Sequence, residues 1–370
     1  PILARLGMPA DDVDAACALI AHHLLMYVVA VQRDIADTAT LDKLLQITRD
    51  REGLRDLYLL TVADLSTTSP TSMTTWKAGM LDALMRRGEA RLSELPADPG
   101  DRLSRARAQV KVAWAGRGAP EEIDAFLDGM PERYLLATPP AVVIEHARAA
   151  LGREIDAITA TLLPSPHAEV AQLCVVTDAK AGSSLCVVAP DQPGLLASIA
   201  AAISANGLEI HAAEINTRPL AEGGVQAVDV FWVRSPRGVS GIAERLGRLQ
   251  HDLRQSITGQ VNHAQLLARA TGSWPTARSL PPVFTEIVLD HAASHEHTVI
   301  EVLTADRPGL LFTLSQALHE IGISIHLAKI NTEGSRVIDV FYVTGSDGKK
   351  LAPGEPSERV RQHLHAALLD

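Results

Sequence analysis

The sequence predicts an all-α N-terminal region followed by two copies of a small α+β unit. Three observations predict it: an internal repeat, a change of hydrophobic period near residue 164, and a Pro-Gly turn at the same place in each copy. Asp191-Gln192-Pro193-Gly194-Leu195-Leu196 matches Asp306-Arg307-Pro308-Gly309-Leu310-Leu311, a separation of 115 residues (306 − 191). Ile215-Asn216-Thr217 matches Ile330-Asn331-Thr332 at the same separation (331 − 216 = 115). Val228-Asp229-Val230-Phe231-Trp232-Val233 matches Ile338-Asp339-Val340-Phe341-Tyr342-Val343 at 110 (339 − 229), so the first copy has the longer hairpin. Two copies of this size are duplicated domains, not a stacked array.

The helical stretches come first. Asp11 and Asp12 can cap a helix carrying Val13, Ala16, Leu19, Ile20, His23 and Leu24 at helical spacing. Leu54 to Leu65 repeats the pattern, and further helices are predicted at Met73–Arg87, Arg102–Trp114, Pro120–Leu127 and Ala141–Leu162. Pro96, Pro99, Gly116 to Pro120 and Pro139-Pro140 punctuate them, and Pro164-Ser165-Pro166 reads as a linker. Beyond it, Ser184–Ala189 and Thr298–Leu303 read as buried strands, each followed by its Pro-Gly turn and an amphipathic helix ending near Gly207 or Gly322. Two strands closing a hairpin and a final helix, Ile242–Ile257 or Pro356–Leu369, complete each unit. A ferredoxin-like unit needs a fourth strand, which Ala171–Thr177 and Phe284–Asp290 can supply.

The bulk numbers fit this plan. The chain has 370 residues, 46% hydrophobic and 21% charged, which is ordinary for a globular protein and allows two or three domains. Aromatics are only 4%, so cores must be aliphatic. A net charge of −10 argues against a nucleic-acid or anionic-membrane partner. No apolar run reaches the ~18 residues of a membrane span. Cys17, Cys174 and Cys186 have no metal spacing and read as reduced, buried thiols of a cytoplasmic protein. The chain starts Pro1-Ile2-Leu3, which reads as the back part of a longer protein.

The Pro-Gly turns are candidate sites. Pro suits the first turn of a helix and Gly permits close backbone approach. The corner offers free N–H groups, with Asp191 or Asp306 placed to cap the helix or meet an ammonium group. A tight helix start is the better account of a lone corner; the duplicate, with an Asn 22 residues on (216 − 194; 331 − 309), makes a ligand site an equal reading. The candidate binding residues are Asp191, Gln192, Pro193, Gly194, Leu195 and Asn216, and Asp306, Arg307, Pro308, Gly309, Leu310 and Asn331. In the helical region Asp64 lies in an apolar run, where a lone carboxylate is costly unless paired or bound to metal. His22 and His23 are candidate companions, but adjacent helical residues point about 100° apart. The residues alone leave open whether Asp64 meets a metal or an Arg such as Arg33.

The repeat resembles the ACT domain, a ferredoxin-like module that senses amino acids, with Gln192 departing from the usual Arg. The whole order, with His22-His23-Leu24-Leu25-Met26, Leu57 to Asp64, Thr68-Ser69-Pro70, Trp76-Lys77 and Pro131 to Leu135, resembles the C-terminal portion of the bacterial bifunctional PII uridylyltransferase/uridylyl-removing enzymes. The resemblance implies three regions. Residues 1–163 would be the second half of an HD-type phosphohydrolase domain, 168–265 a first ACT domain and 283–370 a second. It implies a divalent metal, Mg²⁺ or Mn²⁺, in the full-length enzyme, with Asp64, His22 and His23 as catalytic and metal-binding candidates. It implies the PII signal protein and glutamine as partners, with UTP used only by an upstream transferase domain whose Gly-Ser and Asp-x-Asp signature is missing here. The fragment alone is expected to be inactive. The alternative is a non-catalytic amino-acid sensor with tandem ACT domains.

Overall fold

The computed structural model describes residues 2–35, 37–68, 73, 75–93, 99–152, 160–162, 172–178, 182–221, 223–235, 244–268, 283–307, 309–333 and 336–369. The chain divides into two compact units, Pro1–Asp98 and Pro99–Asp370. The helical stretch expected as one region to residue 163 is therefore shared between them.

The first unit is helical: α1 (Ile2–Arg5), α2 (Ala10–His22), α3 (Leu25–Gln32), α4 (Thr38–Thr48), α5 (Arg51–Thr68) and α6 (Thr75–Ser93). Its core is aliphatic, built from Met26, Val29, Val31, Leu41, Leu44, Leu54, Leu57, Leu81 and Leu84. Asp11 and Asp12 sit inside the first turn of α2, whose N-cap is Pro9, so they act on the helix dipole and do not cap it. The helix expected to run on to Leu24 breaks there, and α3 leaves at 43°. Gly88 on α6 marks a close approach of α5: a Cβ there would lie 2.7 Å from Leu54 Cδ2. Tyr58 Oη donates to Asp82 at 2.6 Å, which ties α5 to α6.

The second unit begins with α7 (Pro99–Trp114), α8 (Pro120–Gly129), α9 (Glu132–Ala137) and α10 (Pro140–Ala150). Pro120 opens α8 at a position that needs no N–H, and Glu122 reaches back to the Ala119 N–H at 2.9 Å. The last predicted helix stops early. Residues Ala160–Leu162 form strand β1, paired with β2 (Gln172–Asp178), and the Pro164-Ser165-Pro166 linker lies outside the described residues.

The two repeats follow as expected. The first comprises β2, β3 (Gly182–Pro190), α11 (Leu195–Ala205), β4 (Glu209–Glu214), β5 (Thr217–Pro219), β6 (Val225–Arg234) and α12 (Leu246–Ile257), then a short helix α13 (His263–Ala268). The second comprises β7 (Glu286–Asp290), β8 (Thr298–Ala305), α14 (Leu310–Glu320), β9 (Ser324–Glu333), β10 (Arg336–Thr344) and α15 (Glu355–Leu369). Both anticipated fourth strands form: β2 pairs with β3 and β7 with β8. Gly207 and Gly322 have φ of +63° and +73° and close their helices, with Leu208 N–H reaching Ile203 O and Ile323 N–H reaching Leu318 O.

The ten strands among the described residues join one sheet, ordered β1-β2-β3-β6-β4-β9-β10-β8-β7, with β5 beside β6. The copies meet edge to edge at β4 and β9, which run antiparallel, and Ala213 faces Ala328 at the centre of the join. These are equivalent positions of the repeat (328 − 213 = 115), so the copies are related by a local twofold axis. The equivalent helices α11 and α14 also pack together. One core runs through both copies beneath the helices and includes Phe231, Phe341, Leu249 and Leu364. The opposite sheet face differs between copies. In the first, Cys186, Val188, Val228 and Val230 pack on α7–α10. In the second, that face carries a small cluster of Val299, Leu327, Val340 and Tyr342. Cys186 is buried as expected, but Cys17 is exposed on α2, a correction to its reading as a core thiol.

Candidate functional site

Each corner turns through its glycine. Gly194 and Gly309 both have φ of +77°, where an L side chain costs about 1–2 kcal/mol. Glycine is therefore fixed by the backbone, in addition to the room it leaves. The helix that follows presents first-turn N–H groups that no intrahelical carbonyl can reach.

The acids of the corners do not cap these helices, contrary to expectation, because Gly194 and Gly309 themselves hold the N-cap position. The neighbouring Arg307 N–H instead favours the ionised form of Asp306. Asp191 is exposed, whereas Asp306 is half-buried. Burial, then the nearby Glu209 carboxylate, push the Asp306 carboxyl up, and the Arg307 N–H opposes them.

The residue between acid and proline closes its own copy. Gln192 Nε2 donates to Ile257 O at 2.7 Å and Arg307 Nη2 donates to Ala367 O at 3.2 Å. Both acceptors lie in the last turn of their copy's closing helix, α12 or α15. Such carbonyls lack an intrahelical partner, so Gln and Arg perform one structural task. Leu195 and Leu310 are buried in the shared core. Pro193 is exposed, and Pro308 lies outside the described residues.

The two asparagines are buried but differently engaged. The Asn216 N–H donates to Asp229 Oδ1 at 3.3 Å and its Nδ2 donates to Val228 O at 3.2 Å. Asn331 is paired in register with Ile338, which puts it on the sheet face opposite Asp339.

Two residues outside the expected set belong to the corners. Asp229 and Asp339 occupy the same place in the run Val/Ile-Asp-Val-Phe. Strand alternation points them to the helix side, with Phe231 or Phe341 as the next residue on that face. Asp339 is fully buried, and its partners across β8 and β9 are Val302 and Ile330, both core residues. Neither of its carboxyl oxygens has a hydrogen bond. Burial, then the Asp306 carboxylate, hold Asp339 well above the usual carboxylate range. Asp229 is raised likewise by burial and by Asp191, against the Asn216 N–H. A polar residue interrupting an apolar strand at the same register in both copies was the available sequence signal.

The neighbours of the two corners come from the other copy or from α13. A Cβ on Gly309 would lie 3.0 Å from Leu267 Cδ1 of α13, and His263 of the same helix packs edge-on against Phe312 at 5.2 Å. A Cβ on Gly194 would lie 3.6 Å from His319 Cδ2 at the end of α14.

In the first unit, His22 ends α2 half-buried, and exposed His23 turns its Nδ1 to Ile20 O at 2.9 Å. Thr61 on α5 reaches the His23 carbonyl at 3.4 Å, one turn from partly exposed Asp64. Among the described residues no group of three or more His, Cys, Asp and Glu side chains is placed to hold a metal. Asp64, His22 and His23 thus do not by themselves fit the divalent metal that the resemblance implies.

Residues 293–367 match the family model described as the ACR family N-terminal ACT domain. The chain is 34% identical over 377 residues to the bifunctional uridylyltransferase/uridylyl-removing enzyme of Gluconobacter oxydans, covering 99% of this chain and 38% of that protein. Its counterpart in Rhodospirillum rubrum is 30% identical over 370 residues, with 98% and 38% covered. That of Streptomyces coelicolor is 29% identical over 372 residues, with 99% and 42% covered. No single helix among the described residues is long and apolar enough to cross a membrane. Matched along nearly its whole length, and spanning about two fifths of its relatives, the chain is similar to part of the bacterial bifunctional uridylyltransferase/uridylyl-removing enzymes.

Proposed function

We propose that this chain is the C-terminal, regulatory part of an enzyme that adds UMP to the PII signal protein and removes it, under control by glutamine. The observation that carries the reading is the paired βα corner, duplicated with the same glycine geometry inside one sheet, in a chain similar to such enzymes along nearly its whole length. The corner N–H groups suit a carboxylate and the neighbouring acids suit an ammonium, which is the chemistry of a free amino acid. Glutamine controls activity only if it binds one arrangement of the ACT pair better than another.

In this reading residues 1–163 belong to an HD-type hydrolase domain, 168–265 and 283–370 are the two ACT domains, and the protein works in the cytoplasm. Catalytic metal would draw further ligands from residues beyond Asp64, His22 and His23. Titration calorimetry with the 370-residue chain tests the sensor: saturable uptake of L-glutamine is expected, and none for any amino acid would end the reading. In the full-length enzyme Asp64→Ala is expected to lower uridylyl removal at least about 100-fold and to spare UMP transfer. An unchanged removal rate would exclude Asp64 from the hydrolase.

A further inference from the structure

We propose that Asp339, together with Asp306, forms the recognition site for the ammonium group of a free amino acid in the second copy. The inference rests on the sensor reading and adds to it the group that receives the charge.

Asp339 sits in mid-strand, fully buried, between Val302 and Ile330, with both oxygens unpartnered. A buried polar group left without a hydrogen bond costs about 1–3 kcal/mol. An aliphatic residue there would avoid that cost, as Val302 and Ile330 do beside it. The charge that acts on it is a carboxylate's. Asp306 is close enough for its charge to act on Asp339, and Glu209 of the first copy acts on Asp306 in turn. The nearby cations are turned elsewhere. Arg307 is held by Ala367 O, and Lys329, with Glu301, is paired with Val340 on the opposite sheet face. From α13, His263 meets Phe312, and Leu310, Leu311 and Leu314 are what α14 packs into the core there. Two carboxyl groups with no cation of their own, next to a helix start that favours a carboxylate, complement a zwitterion's two charges.

The first copy is the internal control. Asp229 receives the Asn216 N–H, and its corner acid Asp191 is exposed. Its acid therefore has a partner that Asp339 lacks.

The test compares L-glutamine with 4-carbamoylbutanoic acid, which is glutamine without its amine, on the 370-residue chain. Calorimetry should show glutamine binding, at least tenfold weaker binding of the deaminated probe, and at least tenfold weaker glutamine binding by Asp339→Asn. Asp229→Asn should change affinity less than threefold. In buffers of differing ionisation enthalpy, glutamine binding by wild type should release protons, because burial holds Asp339 above the usual carboxylate range and an ammonium favours its ionised form. This readout needs no variant and so survives a folding defect. Wild-type affinity in Asp339→Asn, equal binding of the two probes, or no proton release would each overturn the inference while the sensor reading stands. No binding of any amino acid would overturn both.

Discussion

The two copies of the repeat share a backbone and differ in what surrounds it. Their corner glycines have the same φ, their closing helices are tied by the same kind of bond, and their buried acids hold the same register. Yet Asp191 is exposed where Asp306 is half-buried, and Asp229 has an N–H partner where Asp339 has none. The local twofold explains part of this. Glu209, which acts on Asp306, corresponds to Ser324 (209 + 115), and His319, beside Gly194, corresponds to Ser204 (319 − 115). α13 has no counterpart after the second copy among the described residues. One corner thus gains a further carboxylate from the other copy and is covered by a leucine, while the other is faced by an imidazole. Duplication preserved the turn; the residues looking into it set each copy's chemistry.

The largest expected effect tests whether the copies are separate at all. Phe231 and Phe341 are equivalent, fully buried and part of one continuous core. Phe231→Ala and Phe341→Ala are each expected to cost about 3–5 kcal/mol and to lower the same melting transition of the second unit. If each lowered its own transition, the copies would be independent domains.

A smaller effect sharpens the difference at the corners. Gly194→Ala and Gly309→Ala should each cost about 1–2 kcal/mol from the left-handed backbone. Gly309→Ala should cost more, because its Cβ meets Leu267 at 3.0 Å against 3.6 Å from His319 for the other. Adding Leu267→Ala should erase the excess, which denaturant unfolding of the double mutant measures. Equal costs without that change would remove α13 from the second corner.

The smallest effect is in the pH dependence of stability. Burial pushes His146, behind the first copy, down to about 4, while Tyr134 holds its Nδ1 at 2.8 Å. The unfolded chain takes up that proton first, so stability should fall as pH drops from about 6.5 to about 4. Asp229 and Asp339 are raised, so the folded state keeps protons that the unfolded state loses above about pH 4. Their contribution is full below that pH and fades as pH rises through their folded values. Asp339→Asn should flatten the alkaline limb and leave the acid limb unchanged; chemical denaturation across pH reads both.

Much of this was legible in the sequence because periodicity and punctuation are local. The repeat located both corners, and the need for a fourth strand located β2 and β7. What was not legible depended on partners distant in sequence. Gln192 and Arg307 read as ligand residues, and no local pattern points to the bonds they make with Ile257 O and Ala367 O. Asp229 and Asp339 read as repeat markers, because only the register shows that their strand neighbours are Val187, Val302 and Ile330. The Ala141–Leu162 helix failed where tertiary pairing drew 160–162 into the sheet. Helical spacing around Asp64 could not say which side chains meet it.

The Ala213–Ala328 join has one more consequence. Two modules that pair across a symmetric edge would ordinarily associate by mass action and come apart on dilution. Held in a single polypeptide, they meet at an effective concentration fixed by the tether, independent of how many molecules the cell makes. The seam therefore stays paired at any concentration of the chain, where two separate modules would part on dilution.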